Sequence, residues 1–350
     1  MNKHVRKKYI NHYQKELLKQ APEYKPGPFW QKALFDIAEE YALSGVKNFR
    51  SIKKNLEFFV PTYGIPGNGF TDESVKILLE ASRSFSKRQI MIIEDAISGY
   101  QLALNDYRLF KALHGKSDNL QIIDFSESNI GKPKERFEFD GKAFSRSSLN
   151  YLLGLSFLKK LDTKFIPKTI LEIGGGFGTL GEILSHSNVR DFKYISLDLP
   201  PMFLIAKEYL EKSFYKRNDF FNDFNNQTGS LLISNLPKYN FLPNWRIADL
   251  IGEIDLFVNF ISFQEMEPYI VKNYIKKIQG LCPEYVLLRN IREGKQLSRD
   301  GKIGVQTQIK SDDYLSYFNK YSLVEKSVTV FGYKTFDNFH SEVMVLKKKY

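Results

Sequence analysis

The sequence predicts an α/β protein: a Rossmann-like, mostly parallel sheet with an antiparallel C-terminal strand, behind a mainly helical N-terminal region. Two observations carry this. After Lys168, short apolar strands alternate with helices of about 10 to 15 residues, the rhythm of β-α units whose sheet is covered on both faces. Before that point, apolar residues recur at helical spacing and strand-like alternation is scarce. The 350 residues amount to about two domains at roughly 150 each. The reading divides them into 1–165, a helical cap with acceptor and oligomer contacts, and 166–350, a ligand-binding sheet domain.

Taken in order, FWQKALFDIAEEYALSGV places Phe29, Ala33, Leu34, Ile37, Ala38 and Tyr41 on one helical face and stops near Gly45. EFFVPTYGIPGNGF, with Pro61, Gly64, Pro66, Gly67 and Gly69, is a loop. SVKILLEASRSF and MIIEDAISGYQLALNDYRLFKAL read as two helices, and QIIDF and RFEFDGKAF as short extended pieces. SRSSLNYLLGLSFLKKL is a helix opened by a serine cap. Then come the strands KTILEI, KYISLDL, IDLFVNFIS and YVLLRN, each of the first three leading to a helix, with YSLVEKSVTVFG and SEVMVLKKK as a closing antiparallel pair. Between 215 and 250 both LLISN and YNFLP qualify as the intervening strand.

Composition limits the function. Hydrophobic residues make up 43% and charged residues 26%, a folded rather than disordered profile. The single Cys282 excludes an internal disulfide. No apolar run reaches the roughly 18 residues that span a bilayer. The basic start MNKHVRKKYINHYQKELLKQ has no apolar segment behind it, so no secretory signal is read and the cytoplasm is the expected compartment. The net charge is +11, but its lysines are spread along the chain, which reads as a solvated surface. No nucleic-acid partner is expected, and contact with a membrane is at most weak and peripheral through the first helix (Val5, Ile10, Leu17, Leu18).

LEIGGGFGTLG is the sharpest motif. Gly174, Gly176 and Gly178, with Phe177 among them, follow a strand and precede a helix, where side-chain-free positions let a ligand approach the backbone. Two ligands fit: a dinucleotide, because 176–181 satisfies G-x-G-x-x-G, and S-adenosylmethionine, through acidic-x-G-x-G-x-G at Glu172, Gly174, Gly176 and Gly178. Glu172 favours the second. A carboxylate in the turn repels a pyrophosphate but attracts a sulfonium and an ammonium, directly or through water, and a buried strand carboxylate is expensive without such a purpose. Asp198 ends the next strand, where it can accept two ribose hydroxyls, with Leu199 against the adenine. Asn259 falls at the carboxyl end of IDLFVNFIS, and Ser262, Gln264 and Glu265 follow. Ligands of open α/β sheets lie beyond those ends. Glu265, seconded by Gln264, is therefore the candidate general base that takes the proton of an acceptor hydroxyl.

These residues also carry a resemblance. LEIGGGFGTLGEIL, SLDLPPMFLIAKEYL, DLFVNFISFQEM and YVLLRNI, with YKPGPFWQKAL, GVKNFR, FFVPTYG and FDGKAFSRSSLNYLLGL, resemble the bacterial sugar O-methyltransferases from about residue 24 to about 300. The resemblance implies a class I methyltransferase domain behind a helical region and donor roles for Glu172, Gly174, Gly176, Gly178 and Asp198. It also implies a sugar hydroxyl as acceptor, in surface polysaccharide or lipopolysaccharide assembly. The expected partners are a sugar or glycan and, optionally, a second copy in a homodimer. Competing readings are a nucleic-acid methyltransferase, a non-catalytic cofactor-binding protein and an NAD-dependent oxidoreductase. The histidines show no metal-ligand spacing, and Asp312-Asp313 reads as a helix start, so no metal is expected. His340 is a minor alternative base. Trp30, Trp245 and Tyr239 are candidate rings for stacking on a sugar.

Overall fold

The computed structural model describes the chain except for residues 65–71, 114–119, 121, 188, 190, 215–220, 222–228, 299–302, 328–339 and 350. His114, the second half of the loop after Tyr63, most of 215–228 and the end of YSLVEKSVTVFG lie outside the described residues.

The N-terminal region holds α1 (Lys3–Lys19), α2 (Pro28–Ser44), α3 (Lys53–Phe58), α4 (Asp72–Ala81), α5 (Lys87–Ser98) and α6 (Tyr100–Leu113). MIIEDAISGYQLALNDYRLFKAL is two helices, not one. Gly99 at φ 77 ends α5 in the left-handed conformation, pressed against Tyr63, and α6 leaves at a new angle. QIIDF forms a 3-10 turn at Ile122–Asp124 instead of a strand. RFEFDGKAF is the hairpin β1 (Phe137–Phe139) and β2 (Lys142–Phe144). Its turn residues Asp140 (φ 50) and Gly141 (φ 72) are both left-handed, as a tight primed turn requires. Ser145 caps α7 (Arg146–Leu161) as expected, its hydroxyl facing the Ser148 amide.

The second half alternates β3 (Thr169–Ile173), α8 (Thr179–His186), β4 (Lys193–Asp198), α9 (Met202–Ser213), β5 (Leu231–Leu232), β6 (Tyr239–Pro243), β7 (Leu250–Ile251), β8 (Leu256–Phe260), α10 (Pro268–Gly280), β9 (Tyr285–Ile291), α11 (Ser311–Tyr317), β10 (Tyr321–Ser327) and β11 (Ser341–Lys348). Seven of these strands form one sheet in the order β10-β11-β9-β8-β3-β4-β6. Only β11 runs against its neighbours, so the predicted mostly parallel sheet with an antiparallel final strand is present. YNFLP is the strand that joins β4 at the sheet edge. LLISN contributes β5, which pairs only with β7.

Side chains alternate across the sheet. Ile170, Tyr194, Val258 and Leu287 enter a core shared with α1, α2, α7, α8 and α9, whereas Leu171, Ile195, Phe257 and Val286 enter a second core under α10 and α11. Glu172 belongs to the first face. The apolar face of α1 is used inside the protein: Ile10 and Tyr13 enter the first core, and Leu17 of the same helix is buried. No helix among the described residues is long and apolar enough to cross a membrane.

Candidate functional site

The strand order changes direction at β3, with β4 on one side and β8 on the other, the place where open α/β sheets leave a crevice. There a cavity of about 340 Å³ opens between the carboxyl ends of the strands and the N-terminal region, within the range of small-molecule sites. The glycine turn forms its floor. Gly174 (φ 73) and Gly176 (φ 61) line it in the left-handed conformation, and a Cβ on Gly174 would collide with the Ser262 hydroxyl.

Three of the turn's N–H groups are engaged by the protein. Gly174 donates to the Leu197 carbonyl (2.9 Å), Gly176 to Asp198 Oδ2 (3.1 Å) and Gly178 to the Gly175 carbonyl (3.1 Å). A phosphate cradle presents such groups free; here the middle one faces a carboxylate. Asp198 thus supplies the repulsion against a pyrophosphate that sequence reasoning assigned to Glu172.

Glu172 sits behind the turn and does not line the cavity. It is fully buried, accepts hydrogen bonds from Tyr151 (2.5 Å) and from the Tyr194 hydroxyl, and presses on Gly175, where a Cβ would meet its carboxylate. Burial raises its pKa to about 7 against the pull of the two phenols. The strand alternation explains the difference: residue 172 points to the α7 face, not off the strand end. Its direct contact with a ligand cation is therefore replaced by support of the turn.

Asp198, Leu199 and Phe177 do line the cavity. Besides Gly176, Asp198 accepts the Leu199 amide at Oδ1 (2.7 Å), and the lone pairs left over can serve a ligand. Burial raises its pKa to about 7. Two further residues expected at the cofactor site do not line the cavity. Gly178 starts α8 at φ 99 and packs on Leu210 and Ala206. Asn259 is fully buried and internally satisfied: it donates to the Ile173 carbonyl (2.9 Å) and Ser262 Oγ (2.6 Å) and accepts the Phe263 amide (3.2 Å). It locks the end of β8 rather than facing the ligand.

Beyond β8 the chain kinks at Ile261, whose φ of 72 is far from the ordinary range of a β-branched residue. The kink brings Ser262, Gln264 and Glu265 to the cavity wall. Gln264 is tied to β9, its Oε1 accepting the Ile291 amide (2.6 Å). Glu265 is buried and accepts Lys295 Nζ (2.9 Å) at Oε1; burial raises its pKa while Lys295 and a hydrogen bond from Trp30 pull it down. Trp30 lines the cavity, but Trp245 and Tyr239 pack in the core, and His340 pairs with Glu293 outside the cavity. Asp313 caps α11 (2.8 Å) and Asp312 pairs with Lys326 (3.0 Å), and no metal-binding cluster occurs among the described residues.

Sequence reasoning missed several lining residues. Lys295 follows the carboxyl end of β9, so the same strand-end rule that found Glu265 could have found it. Lys25, Arg146, Asn150 and Asn244 come from loops and helix starts, where no periodicity marks them. Two buried atoms here, Asn150 Nδ2 and Asn244 Oδ1, have no hydrogen-bond partner among the described residues. Such unmatched buried amides on a cavity wall suit a polar ligand.

No family model and no curated protein matches the chain. Among solved structures the chain is similar to an S-adenosylmethionine-dependent methyltransferase from Clostridium acetobutylicum (13% identity, TM-score 0.38, 57% of this chain and 91% of that one). It is also similar to magnesium protoporphyrin IX methyltransferase from Synechocystis PCC 6803. With SAH bound, the match has 11% identity and a TM-score of 0.37, over 57% of this chain and 81% of that one. With SAM bound, it has 12% identity and a TM-score of 0.36, over 81% of this chain and 100% of that one.

Proposed function

We propose that this chain is an S-adenosylmethionine-dependent O-methyltransferase acting on a sugar hydroxyl, in surface polysaccharide or lipopolysaccharide assembly. One observation supports it above all. A glycine turn with a carboxylate on the Gly176 N–H shares a cavity with a buried Glu265. That combination suits a cationic, phosphate-free nucleoside on one side and a proton-donating acceptor on the other. The residues fit the donor: the turn offers bare backbone with room before it at Gly176, Asp198 can accept ribose hydroxyls, and Asn244 Oδ1 is a buried acceptor awaiting a donor.

Bound S-adenosylmethionine supplies an activated methyl group. The chain's own residues do the rest. Gly174 and Gly176 let the ligand lie against the backbone, and Asp198 orients it. Glu265 takes the proton of the attacking hydroxyl as the new C–O bond forms, while Lys295 and Trp30 hold its carboxylate in place. The helical cap walls one side of the cavity with Lys25, Pro26, Gly27 and Trp30.

The test is calorimetry with S-adenosylhomocysteine and NADH, followed by incubation with labelled S-adenosylmethionine and an extract of polysaccharide precursors. The expected results are micromolar-range binding of the first, none of NADH, a fall of at least about tenfold in Asp198→Ala, and label in a glycan fraction. Binding of NADH alone, or unchanged affinity in Asp198→Ala, removes the assignment.

A further inference from the structure

The cavity wall built by α7 and β9 presents two guanidinium groups whose neighbouring acids, Asp106 and Glu135, lie behind the lining. The cavity's lining carboxylates are Glu57, Asp198 and Glu265. Asp198 holds the glycine turn, Glu265 is paired with Lys295, and Glu57 is exposed. The wall built by α7 and β9 carries Arg146, Asn150 and Arg289 and no carboxylate. Arg146 donates Nη1 to the Thr62 carbonyl (2.7 Å) and lies over the Tyr63 ring (5.5 Å to the centroid), and among the described residues it forms no ion pair. A guanidinium has five N–H donors in a planar fork shaped for a carboxylate or phosphate. One turn along α7, on the same face, the amide donor of Asn150 is buried (3% exposed) and unmatched. Arg289, 5% exposed, completes the wall from β9. The acids nearest to Arg146 stand outside the cavity lining: Glu135 accepts the Arg146 amide (2.8 Å), and Asp106 binds the Tyr63 hydroxyl.

We propose that the methyl acceptor is anionic, its carboxylate or phosphate received by Arg146 together with Asn150 and Arg289. The inference rests on the methyltransferase reading and narrows it to an acidic substrate. An α-amino-acid end of the donor would set its own carboxylate on the same guanidinium, and the S-adenosylhomocysteine affinity of Arg146→Gln tells the two apart. A neutral sugar leaves the guanidinium fork and the Asn150 amide unmatched, which a buried wall does not favour.

The experiment uses the full chain saturated with S-adenosylhomocysteine and measures binding of D-glucuronate, D-glucose 6-phosphate and D-glucose by saturation-transfer NMR. The expected result is a preference of about tenfold or more for at least one anion over D-glucose. Arg146→Gln and, separately, Asn150→Asp should lose that preference with S-adenosylhomocysteine affinity kept within about twofold. The two anions separate a carboxylate-bearing from a phosphate-bearing acceptor. Equal binding of all three probes, or binding of none, overturns the proposal. So does an Arg146→Gln variant that loses S-adenosylhomocysteine instead, because Arg146 then belongs to the donor. Failure of the unsubstituted chain to bind S-adenosylhomocysteine overturns the methyltransferase reading and this inference with it.

Discussion

Glu265 and Glu172 show how much a single carboxylate depends on where its strand ends. Both are buried, and burial raises both pKa values. Glu265 stands past the end of β8, beyond the kink at Ile261, and reaches the cavity; Glu172 stands within β3 and does not. In the proposed reaction Glu265→Gln keeps the shape and removes the proton acceptor. The turnover measured by label transfer should fall by about 10² to 10⁴. Affinity for S-adenosylhomocysteine by calorimetry should stay within about threefold, because Glu265 is not on the nucleoside side. Undiminished turnover would take the base role from Glu265. The sequence made the types of these residues legible but not their directions. Period-two alternation tells which face a strand residue takes only once the sheet's neighbours are known, and α7, which supplies Tyr151 to Glu172, has no marker in LEIGGG. Asn259 was misread for the same reason: its place at the strand end is legible, but the internal bonds that consume it are long-range.

At the scale of elements, the glycine turn is backed by a buried charge cluster that joins the cap to the sheet domain. Arg50, 1% exposed, pairs with Glu127 and lays its guanidinium over the Phe177 ring (4.8 Å to the centroid), while Tyr209 of α9 donates to Glu182 of α8 (2.5 Å). Glu127 also receives the Ser145 amide (2.6 Å) and the Ser148 hydroxyl (2.8 Å), so the cap of α7 hangs on the same carboxylate. Arg50→Met would leave that carboxylate buried without its cation, a loss of about 3 to 5 kcal/mol. Glu127→Gln added to it should restore at least about 1 kcal/mol, because the carboxylate that Arg50 paired with no longer carries a charge. Urea unfolding of the two single variants and the double variant checks this; strictly additive losses would show that the pair is not coupled. Helix boundaries elsewhere followed local chemistry, as at Gly45 and Ser145. The choice between LLISN and YNFLP did not. Both are short apolar runs, and what decides is the register of β6 along β4, Tyr194 beside Tyr239 through Asp198 beside Pro243, which no local window contains.

For the molecule as a whole, the texture of the sequence changes near residue 165, but the larger core runs through that point, joining Ile37, Phe49 and Leu152 to Ile170, Phe177 and Leu204. The periodicity of α1 and α2 shows that each needs a partner and is silent about which. This continuous packing buries acids from both halves: Glu172, Asp198 and Glu135 are raised to about 7 and Asp106 to about 6, in each case by burial. Their unfolded values are near about 4, so between about pH 4 and 7 the folded chain holds protons that the unfolded chain has released. Stability contributed by these groups is therefore greatest at the acid side of that window, falls as pH rises through it, and levels off above about 7, at about 1.4 kcal/mol per pH unit for each proton retained. The carboxylates with lowered values, Glu16, Asp140, Asp162 and Glu293, lie at or near the surface and oppose this only weakly. Unfolding free energy from urea titrations should thus be higher near pH 5.5 than near pH 8, and Glu172→Gln should flatten the slope by up to one proton's worth, its Oε1 accepting one tyrosine hydroxyl and its Nε2 donating to the other. A stability that rises steadily from pH 5.5 to 8, or a slope indifferent to Glu172→Gln, would mean that these acids stay ionised, and that the carboxylate behind the glycine turn is held as an anion by its two tyrosines.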